Sequence, residues 1–244
     1  MDAKRLFDAV CAGSALVVTS PLLGAVAAAI YLYDFHSPLY IAARVGLDGR
    51  PFRMVKFRSM VVNADRSGVT STSSTDSRVT PVGRFVRKFK LDEVVQLWNV
   101  ARGDMSLVGP RPNVPSGVAV YTAVERRLLS VRPGITDVAS IVFADEGEIL
   151  RGHVDADAAY DQLIRPWKSR LGLFYIDNRT LWMDIRIVAL TVLAIVSRDS
   201  ALRRVHRMLV ALQAPADLAH IALRRDALEP RRPPGEELVS APHG

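Results

Sequence analysis

Residues 9 to 33, AVCAGSALVVTSPLLGAVAAAIYLY, contain no charged side chain. As a helix rising about 1.5 Å per residue they would reach roughly 37 Å, enough to cross the hydrocarbon core of a bilayer. The stretch reads as a membrane segment, and it decides the fold, because the rest of the chain must then be a domain held at a membrane. A cleaved signal peptide competes for any apolar segment placed just after Lys4 and Arg5. This one is longer than an ordinary signal core, and the chain after it is cationic and free of cysteine, which favours a retained segment. Pro21 has no N–H for the carbonyl of Val17 and its ring clashes with that carbonyl, so a bend is expected at Ser20-Pro21. The Ser20 hydroxyl is placed to satisfy a freed carbonyl. Lys4 and Arg5 precede the segment, and Arg44, Arg50, Arg53, Lys56 and Arg58 come after it. Basic flanks prefer the cytoplasmic side, so a helix that bends and returns keeps both inside, whereas a straight span leaves one outside. On the residues alone, the hairpin and a kinked span both stand.

The whole chain has 244 residues, a formal charge of +7, 49% hydrophobic residues and one cysteine. That is one substantial domain with accessory segments, and the apolar content excludes wholesale disorder. A single Cys11 excludes an intrachain disulfide, and five scattered histidines give no zinc-ligand spacing. A positive balance calls for an anionic partner, whether nucleic acid, phosphorylated small molecules or an anionic membrane face. Its location narrows the choice. Between Arg44 and Arg111 there are 13 Lys and Arg against six Asp and Glu, so this segment holds an excess equal to that of the whole chain.

Leu39–Val45 and Phe52–Phe57 read as short strands about a turn at 47–50, where Asp48-Gly49 is a hairpin signal. Residues 67–77 (SGVTSTSSTDS) are a polar loop, mobile by composition. From Pro81 to Val100 apolar residues recur at helical spacing with basic residues between, and Val118–Val131 reads as another helix stopped by Pro133-Gly134. Tyr160–Asn178 is expected to be helical with a break before Pro166. Leu181–Val196 is apolar but interrupted by Asp184 and Arg186, which suits a buried or interfacial helix better than a span. Leu202–Leu212 suits either a helix on an anionic membrane surface or one packed on the domain.

The stretch Arg84-Phe-Val-Arg-Lys-Phe-Lys-Leu-Asp-Glu-Val-Val-Gln-Leu-Trp-Asn99 places the adjacent carboxylates Asp92 and Glu93 within two turns of Arg84, Arg87, Lys88 and Lys90. Alone, this is what an amphipathic helix with a solvated charged face looks like. A functional reading needs further cations from distant sequence. Lys56 and Arg58 alternate with apolar residues and would share one strand face. Arg111, between two prolines, would be held rigidly for bidentate contact with phosphate, or for a structural salt bridge in a turn. Neither a P-loop nor a GxGxxG pattern is present, so the usual NTPase and dinucleotide folds are not expected.

Taken in order, Lys4-Arg-Leu-Phe-Asp8, Ser20-Pro21, Lys56-Phe-Arg-Ser-Met60, Leu91-Asp-Glu93, Gln96-Leu-Trp-Asn-Val100, Arg102-Gly-Asp-Met-Ser-Leu-Val-Gly-Pro-Arg-Pro112 and Arg132-Pro-Gly-Ile-Thr136 resemble the bacterial sugar transferase family. These are monotopic polyprenyl-phosphate phosphoglycosyl transferases that initiate exopolysaccharide, O-antigen and glycoprotein glycans. The likeness runs from about residue 2 to 196 and leaves the tail beyond residue 200 outside it.

The resemblance implies an α/β, mostly helical, membrane-associated fold. It would have a re-entrant membrane helix at 1–37 that bends at Ser20 and Pro21. A cytoplasmic catalytic domain at 38–200, with a small sheet and interfacial helices, would come next. An amphipathic helical extension at 201–228 and a disordered tail at 229–244 would complete the chain. The implied reaction moves a sugar 1-phosphate from a UDP-sugar to undecaprenyl phosphate and releases UMP at the inner membrane, without nucleic acid. By similarity Asp92 is the nucleophile that forms a phosphosugar-aspartate intermediate, Glu93 is its partner, and Mg2+ is a cofactor held by Asp92 and Glu93. Arg87 and Arg111 are the foremost phosphate ligands, with Lys56, Arg58 and Arg78 behind them. A homodimer is left open.

The chemistry agrees, since a carboxylate attacking a charged pyrophosphate needs cations on the attacked and leaving phosphates. Two departures stand out. Val95 replaces a proline common in the family, and Asp137-Val-Ala-Ser140, with Asp145-Glu-Gly-Glu148 after it, replaces a frequent glycine-led continuation, in a region suited to shaping sugar choice. The rival from another class is a membrane-tethered cationic binding module, whose affinity would fall steeply with salt and ignore Asp92 and Glu93. A third reading is Mg2+-dependent hydrolysis of nucleotide sugars without lipid.

Overall fold

The apolar segment forms helix α1, Ala3–Asp34, the one helix among the described residues long and apolar enough to cross a membrane. The computed structural model describes residues 3–64 and 76–236; most of the polar loop expected at 67–77 lies outside them. Pro21 sits inside α1 without interrupting it, and the Ser20 hydroxyl donates to the carbonyl of Val17 at 2.8 Å. The proline-freed acceptor thus receives the partner expected from the sequence. No loop interrupts α1 at Ser20-Pro21; the expected hairpin is not visible as a break in the helix.

Both halves of α1 are fastened to the same domain. Near its start, Lys4 donates to Asp184 (2.5 Å), Arg5 to the carbonyls of Val100 and Ala101 (2.5 and 2.7 Å), and buried Asp8 accepts from the Ser106 hydroxyl and the Leu107 amide. Ala12 is sealed against Ala42, Met54, Val100 and Met105. Toward its end Val26 and Ile30 pack on Phe57 and Val86, and Asp34 accepts a two-pronged contact from Arg58. Between these anchors Val17, Val18 and Leu22 are 74%, 78% and 49% exposed. An apolar bow held at both ends is therefore left uncovered by the domain.

Strands β1 (Leu39–Val45) and β2 (Pro51–Phe57) form the expected antiparallel hairpin, with Leu39 opposite Phe57 and Val45 opposite Pro51. Asp48 and Gly49 take positive φ in the turn, the conformation that Asp-Gly supplies. The expected helix from Pro81 to Val100 is instead three short ones: α2 (Pro81–Lys88), α3 (Leu91–Val94) and α4 (Leu97–Arg102). The break falls at Lys90, whose φ of 56° is left-handed. Thr80 caps α2 by accepting from the Gly83 amide. Asn99, 1% exposed, accepts from the Val55 amide and donates to the Arg53 carbonyl, so it serves the open edge of β2.

Beyond α4, β3 (Ser106–Val108) precedes α5 (Pro115–Ala119), and β4 (Gly134–Thr136) pairs with β3 in parallel. The small sheet expected from sequence is thus two separate two-stranded sheets. A Cβ on Gly134 would meet the Gly109 amide nitrogen at 2.1 Å, so the close approach of these strands requires glycine. Val118–Val131, expected as one helix, is the end of α5 and a 3-10 turn at Glu125–Ser130. Glu125, with no exposed surface, fixes that turn by accepting from Arg165, Ser169 and the Thr122 amide, which a continuous helix would not allow.

Helices α6 (Val138–Val142), α7 (Glu146–Ile149), α8 (Ala156–Ala159) and α9 (Arg165–Asn178) follow, with a wide π turn at Tyr160–Ile164 marking the break expected before Pro166. Helix α10 (Leu181–Val196) buries Met183, Ile187 and Leu190 and exposes Trp182, Val192, Ile195 and Val196. One face thus lies on the core and an apolar face points outward.

Helices α11 (Arg198–Ala211) and α12 (Ala216–Ile221) belong to the main core through Leu202, Val205, Leu209 and Leu218. Of the two readings of Leu202–Leu212, packing on the domain is the one realised. Of the tail expected to be disordered from residue 229, residues 229–236 are described, and they are held on the domain. The Arg231 guanidinium lies 4.4 Å from the Trp167 ring centroid and pairs with Asp217, and the Pro234 carbonyl accepts from the Thr122 hydroxyl. Residues 237–244 lie outside the described residues.

Candidate active site

The break at Lys90 makes the site. A left-handed residue redirects the chain at the end of α2, so Asp92 and Glu93 stand in the first turn of α3, where the helix N-terminus favours negative charge. The neighbouring carboxylates then meet different partners. Glu93 Oε1 and Oε2 accept from Arg111 Nη2 and Nη1 at 2.6 and 3.1 Å. Burial pushes the Glu93 carboxyl up, but the charge and hydrogen bonds of Arg111, helped by Lys90 and Lys56, overcome it and hold the group down at about 2. Asp92 has a buried Oδ1 with no hydrogen-bond partner. Burial and the adjacent Glu93 charge raise its pKa, opposed by the cations Lys56, Arg87 and Lys90. One carboxylate is tied and permanently ionised. The other is untied at one oxygen, flanked by cations and more basic than an ordinary aspartate.

Lys56 reaches this pair from β2. Tyr40, Ala42 and Arg44 on β1 and Phe52, Met54 and Lys56 on β2 share one face through the register of the hairpin. The Lys56 ammonium lies 5.4 Å from the Tyr40 ring centroid. Burial and repulsion from Arg44 lower its pKa to about 8 against the attraction of Asp92, with Arg87 and Arg111 adding to the lowering. Arg87, on α2, is steadied by donating from Nε to the Ser59 hydroxyl at 2.8 Å and faces the charge of Asp92. Gly83 lets α2 lie this close: a Cβ there would sit 1.9 Å from the Ser59 carbonyl oxygen.

Of the residues picked out by sequence, Asp92, Glu93, Lys56, Arg87 and Arg111 come together. Arg58 does not, and Arg78 stands at the edge, acting with Asp76 on Arg87. β2 ends at Phe57, and Arg58 turns back to Asp34 with Nη1 and Nη2 each at 2.6 Å from a carboxylate oxygen, locking the end of α1. Strand alternation therefore does not extend to it. Arg78 is clamped on Asp76 through Nε and Nη2 and donates to the Ala64 carbonyl. Arg111 realises the salt-bridge alternative, with part of its side chain left exposed.

Arg44, Tyr160 and Lys168 escape the sequence reading, and Asp137 and Glu146 enter it only within a region suited to shaping sugar choice. Arg44 was findable, since hairpin register puts it on the Lys56 face. Asp137, Glu146, Tyr160 and Lys168 form the electrostatic surroundings of Arg111, and only tertiary packing brings them there. Asp137 also explains the Asp-x-x-Ser pattern: it caps α6 by accepting from the Ser140 amide and hydroxyl at 2.6 Å each.

Fold and site together define a domain with a long apolar helix anchored to it near both ends, a carboxylate pair on a broken helix and several cations around that pair. The chain belongs to the bacterial sugar transferase family, whose model matches residues 1–198. It is 39% identical over 196 residues to an undecaprenyl-phosphate glucose phosphotransferase of Komagataeibacter xylinus, a match covering 78% of this chain and 35% of that protein. It is 36% identical over 205 residues to a UDP-glucose:undecaprenyl-phosphate glucose-1-phosphate transferase of Caulobacter vibrioides, covering 81% and 71%. An undecaprenyl-phosphate galactose phosphotransferase of Salmonella typhimurium is 35% identical over 218 residues, covering 81% and 41%. The chain thus spans well under half the length of the first and third of these relatives.

Proposed function

We propose that this chain transfers a sugar 1-phosphate from a UDP-sugar to undecaprenyl phosphate, releasing UMP, through a covalent intermediate on Asp92. The observation that carries the reading is the asymmetry of the dyad. Both Glu93 oxygens are engaged by Arg111, while Asp92 keeps a buried oxygen without a partner. In the first half-reaction an Asp92 oxygen attacks the sugar-bearing phosphorus, the bond from that phosphorus to the bridging oxygen breaks, and UMP leaves with the bridging oxygen. In the second, an oxygen of undecaprenyl phosphate attacks the same phosphorus, the acyl-phosphate bond from that phosphorus to Asp92 breaks and frees the carboxylate, and the product is undecaprenyl-diphosphate-sugar. Covalent catalysis lets one site serve a soluble donor and a lipid acceptor in turn. Lys56 and Arg87 hold positive charge where phosphate oxygens would gather.

The expected Mg2+ fits this donor set. Mg2+ takes hard oxygens and is commonly bound by one or two carboxylates completed by substrate phosphates. The partnerless Asp92 Oδ1 beside Glu93 is such a set, and the described residues contain no group of three His, Cys, Asp or Glu able to hold a metal without substrate. Asp92 and Glu93 would hold the ion; when bound it supplies charge neutralisation on the phosphates.

The re-entrant reading of α1, with both flanks on the cytoplasmic face of the inner membrane, is supported by its two anchors. Lys4, Arg5 and Asp8 at one end and Asp34 at the other bond to the same domain, and the apolar bow between them is bare. A helix crossing the bilayer would carry one set of anchors away from the domain. The exposed apolar face of α10 gives a second membrane contact. Labelling a single cysteine at residue 3, with Cys11 replaced, in intact cells should show no periplasmic access. Periplasmic labelling would establish a span instead.

The test of chemistry is Asp92→Asn in the purified chain with undecaprenyl phosphate. Sugar-phosphate transfer should vanish and no labelled covalent adduct should be trapped. Unchanged turnover would remove Asp92 from its role, and release of sugar phosphate without a lipid product would favour hydrolysis.

A further inference from the structure

Beside Arg111 lies a polar cluster that the phosphate chemistry leaves unused. Glu146, the first residue of α7, forms an ion pair with Lys168 of α9, and the Lys168 ammonium lies 5.2 Å from the Tyr160 ring centroid. Packing brings the cluster to Arg111: a Cβ on Gly172, one turn along α9 from Lys168, would lie 3.6 Å from the ring of Pro110, and the Gly109 amide donates to the Thr136 carbonyl just before Asp137, so the Arg111 charge acts on Tyr160 and Lys168. The Glu146 and Lys168 side chains keep 33% and 21% of their surface open. That separates the pair from the structural one nearby, Arg165 with Glu125, in which Glu125 has no open surface.

The segment carrying Glu146 is fixed from outside the site. Asp145 pairs with Arg198 at 2.6 Å and with Arg224 at 3.6 Å, and the Arg224 guanidinium lies 5.3 Å from the Phe143 ring centroid. Lys168 stands between the buried Trp167 and Ser169 on a packed helix. Residues locked in this way by their surroundings can hold a recognition geometry without further ordering when a ligand arrives.

A pyranose ring presents neighbouring hydroxyls that both donate and accept. A carboxylate offers acceptors, an ammonium offers donors, and a tyrosine offers an apolar ring face with a polar tip. The ring of the donor is joined directly to the phosphate that Asp92 attacks, so it must fall beside the groups that hold that phosphate. We propose that Glu146, Lys168 and Tyr160 form the subsite that reads the hydroxyls of the donor sugar, with Arg111 holding the adjoining phosphate. This rests on the transferase reading above. A site that bonds a hydroxyl discriminates against the epimer, because its own polar groups are then left unpaired.

The experiment compares kcat/KM for UDP-glucose, UDP-galactose and their 2-acetamido counterparts, with undecaprenyl phosphate as acceptor, in the full chain and in three variants. Glu146→Gln keeps shape and removes charge. Lys168→Arg keeps charge and changes reach. Lys168→Met removes the donor. The ratio between the two best donors should change by about tenfold or more in Glu146→Gln and Lys168→Met and by less in Lys168→Arg. Equal loss for all donors, or no loss, would overturn the subsite and leave the transferase reading intact. A wild-type chain idle with every UDP-sugar would overturn both.

Discussion

Replacing Lys56 by Met separates what the site costs the fold from what it gives the reaction. The Lys56 ammonium is held in a half-buried position among Arg44, Arg87 and Arg111, with Asp92 as its counter-charge, and its pKa falls from 10.5 to about 8. At about 1.4 kcal/mol for each tenfold, keeping this amine charged in the folded state costs about 3 kcal/mol, a figure already net of the attraction to Asp92. The sign comes from proton counting. Below pH 8 the amine is protonated in both folded and unfolded chains. Between about 8 and 10.5 the unfolded chain still binds the proton and the folded one does not, so stability rises with pH in that window and the cost is gone above it. Lys56→Met removes the cost at every pH. It should raise the melting midpoint in detergent at pH 7 by up to about 6 to 12 °C, taking about 2 to 4 °C per kcal/mol for a chain of this size. It should also abolish the rise between pH 8 and 10.5. Turnover should move the other way, falling by roughly a hundredfold or more as a charge facing the phosphates is lost. Wild-type turnover should decline above pH 8, and Lys56→Arg should shift that decline to higher pH because a guanidinium stays charged. If the Met variant melts at or below the wild type, the buried charge is no burden on the fold; if it retains its turnover, the charge does not serve the phosphates.

Two further substitutions probe the scaffold. Lys4→Met leaves Asp184, only 2% exposed, with the Tyr175 hydroxyl as its remaining side-chain donor, and breaking such a buried pair should cost about 3 to 5 kcal/mol, read as a lower melting midpoint. Lys4→Met combined with Asp184→Leu should recover much of that loss, and no recovery would mean that the pair is not the source. Gly83→Ala puts a Cβ 1.9 Å from the Ser59 carbonyl oxygen, so α2 must move. Because Arg87 is aligned through Ser59, turnover should fall by at least about tenfold even where the fold survives, whereas normal turnover would show that Arg87 does not depend on this contact.

Local rules made parts of the molecule legible. Asp48-Gly49 fixed the turn and hence the register that puts Lys56 and Arg44 on one face, and the missing amide of Pro21 foretold the Ser20 bond to Val17. The break at Lys90 was not legible, because a lysine in the left-handed region carries none of the glycine or asparagine signal that marks such a turn. Helical spacing therefore ran across it, and Asp92 and Glu93 were placed on a long helix instead of at the start of a short one. The second half of the site was hidden for a different reason. Glu146 and Lys168 are separated by 22 residues and from Arg111 by more, and nothing in their local sequence names a partner.

The cationic segment shows what a charge count can and cannot say. The excess between Arg44 and Arg111 includes the cations around Asp92 and Glu93, yet much of it is already spoken for: Arg58 by Asp34, Arg78 by Asp76, Arg111 by Glu93. These pairings differ in consequence. The first two position the end of α1 and the chain before α2, while the third ties one carboxylate of an adjacent pair. Without Arg111, Glu93 would lose the partner that holds its carboxyl down. Pairing Glu93 with Arg111 keeps that carboxylate ionised, and its negative charge then adds to burial in raising the pKa of Asp92. Arg111 thus acts first on the dyad by tying Glu93, and under the proposed transfer contact with phosphate would fall to the side of its guanidinium that stays exposed.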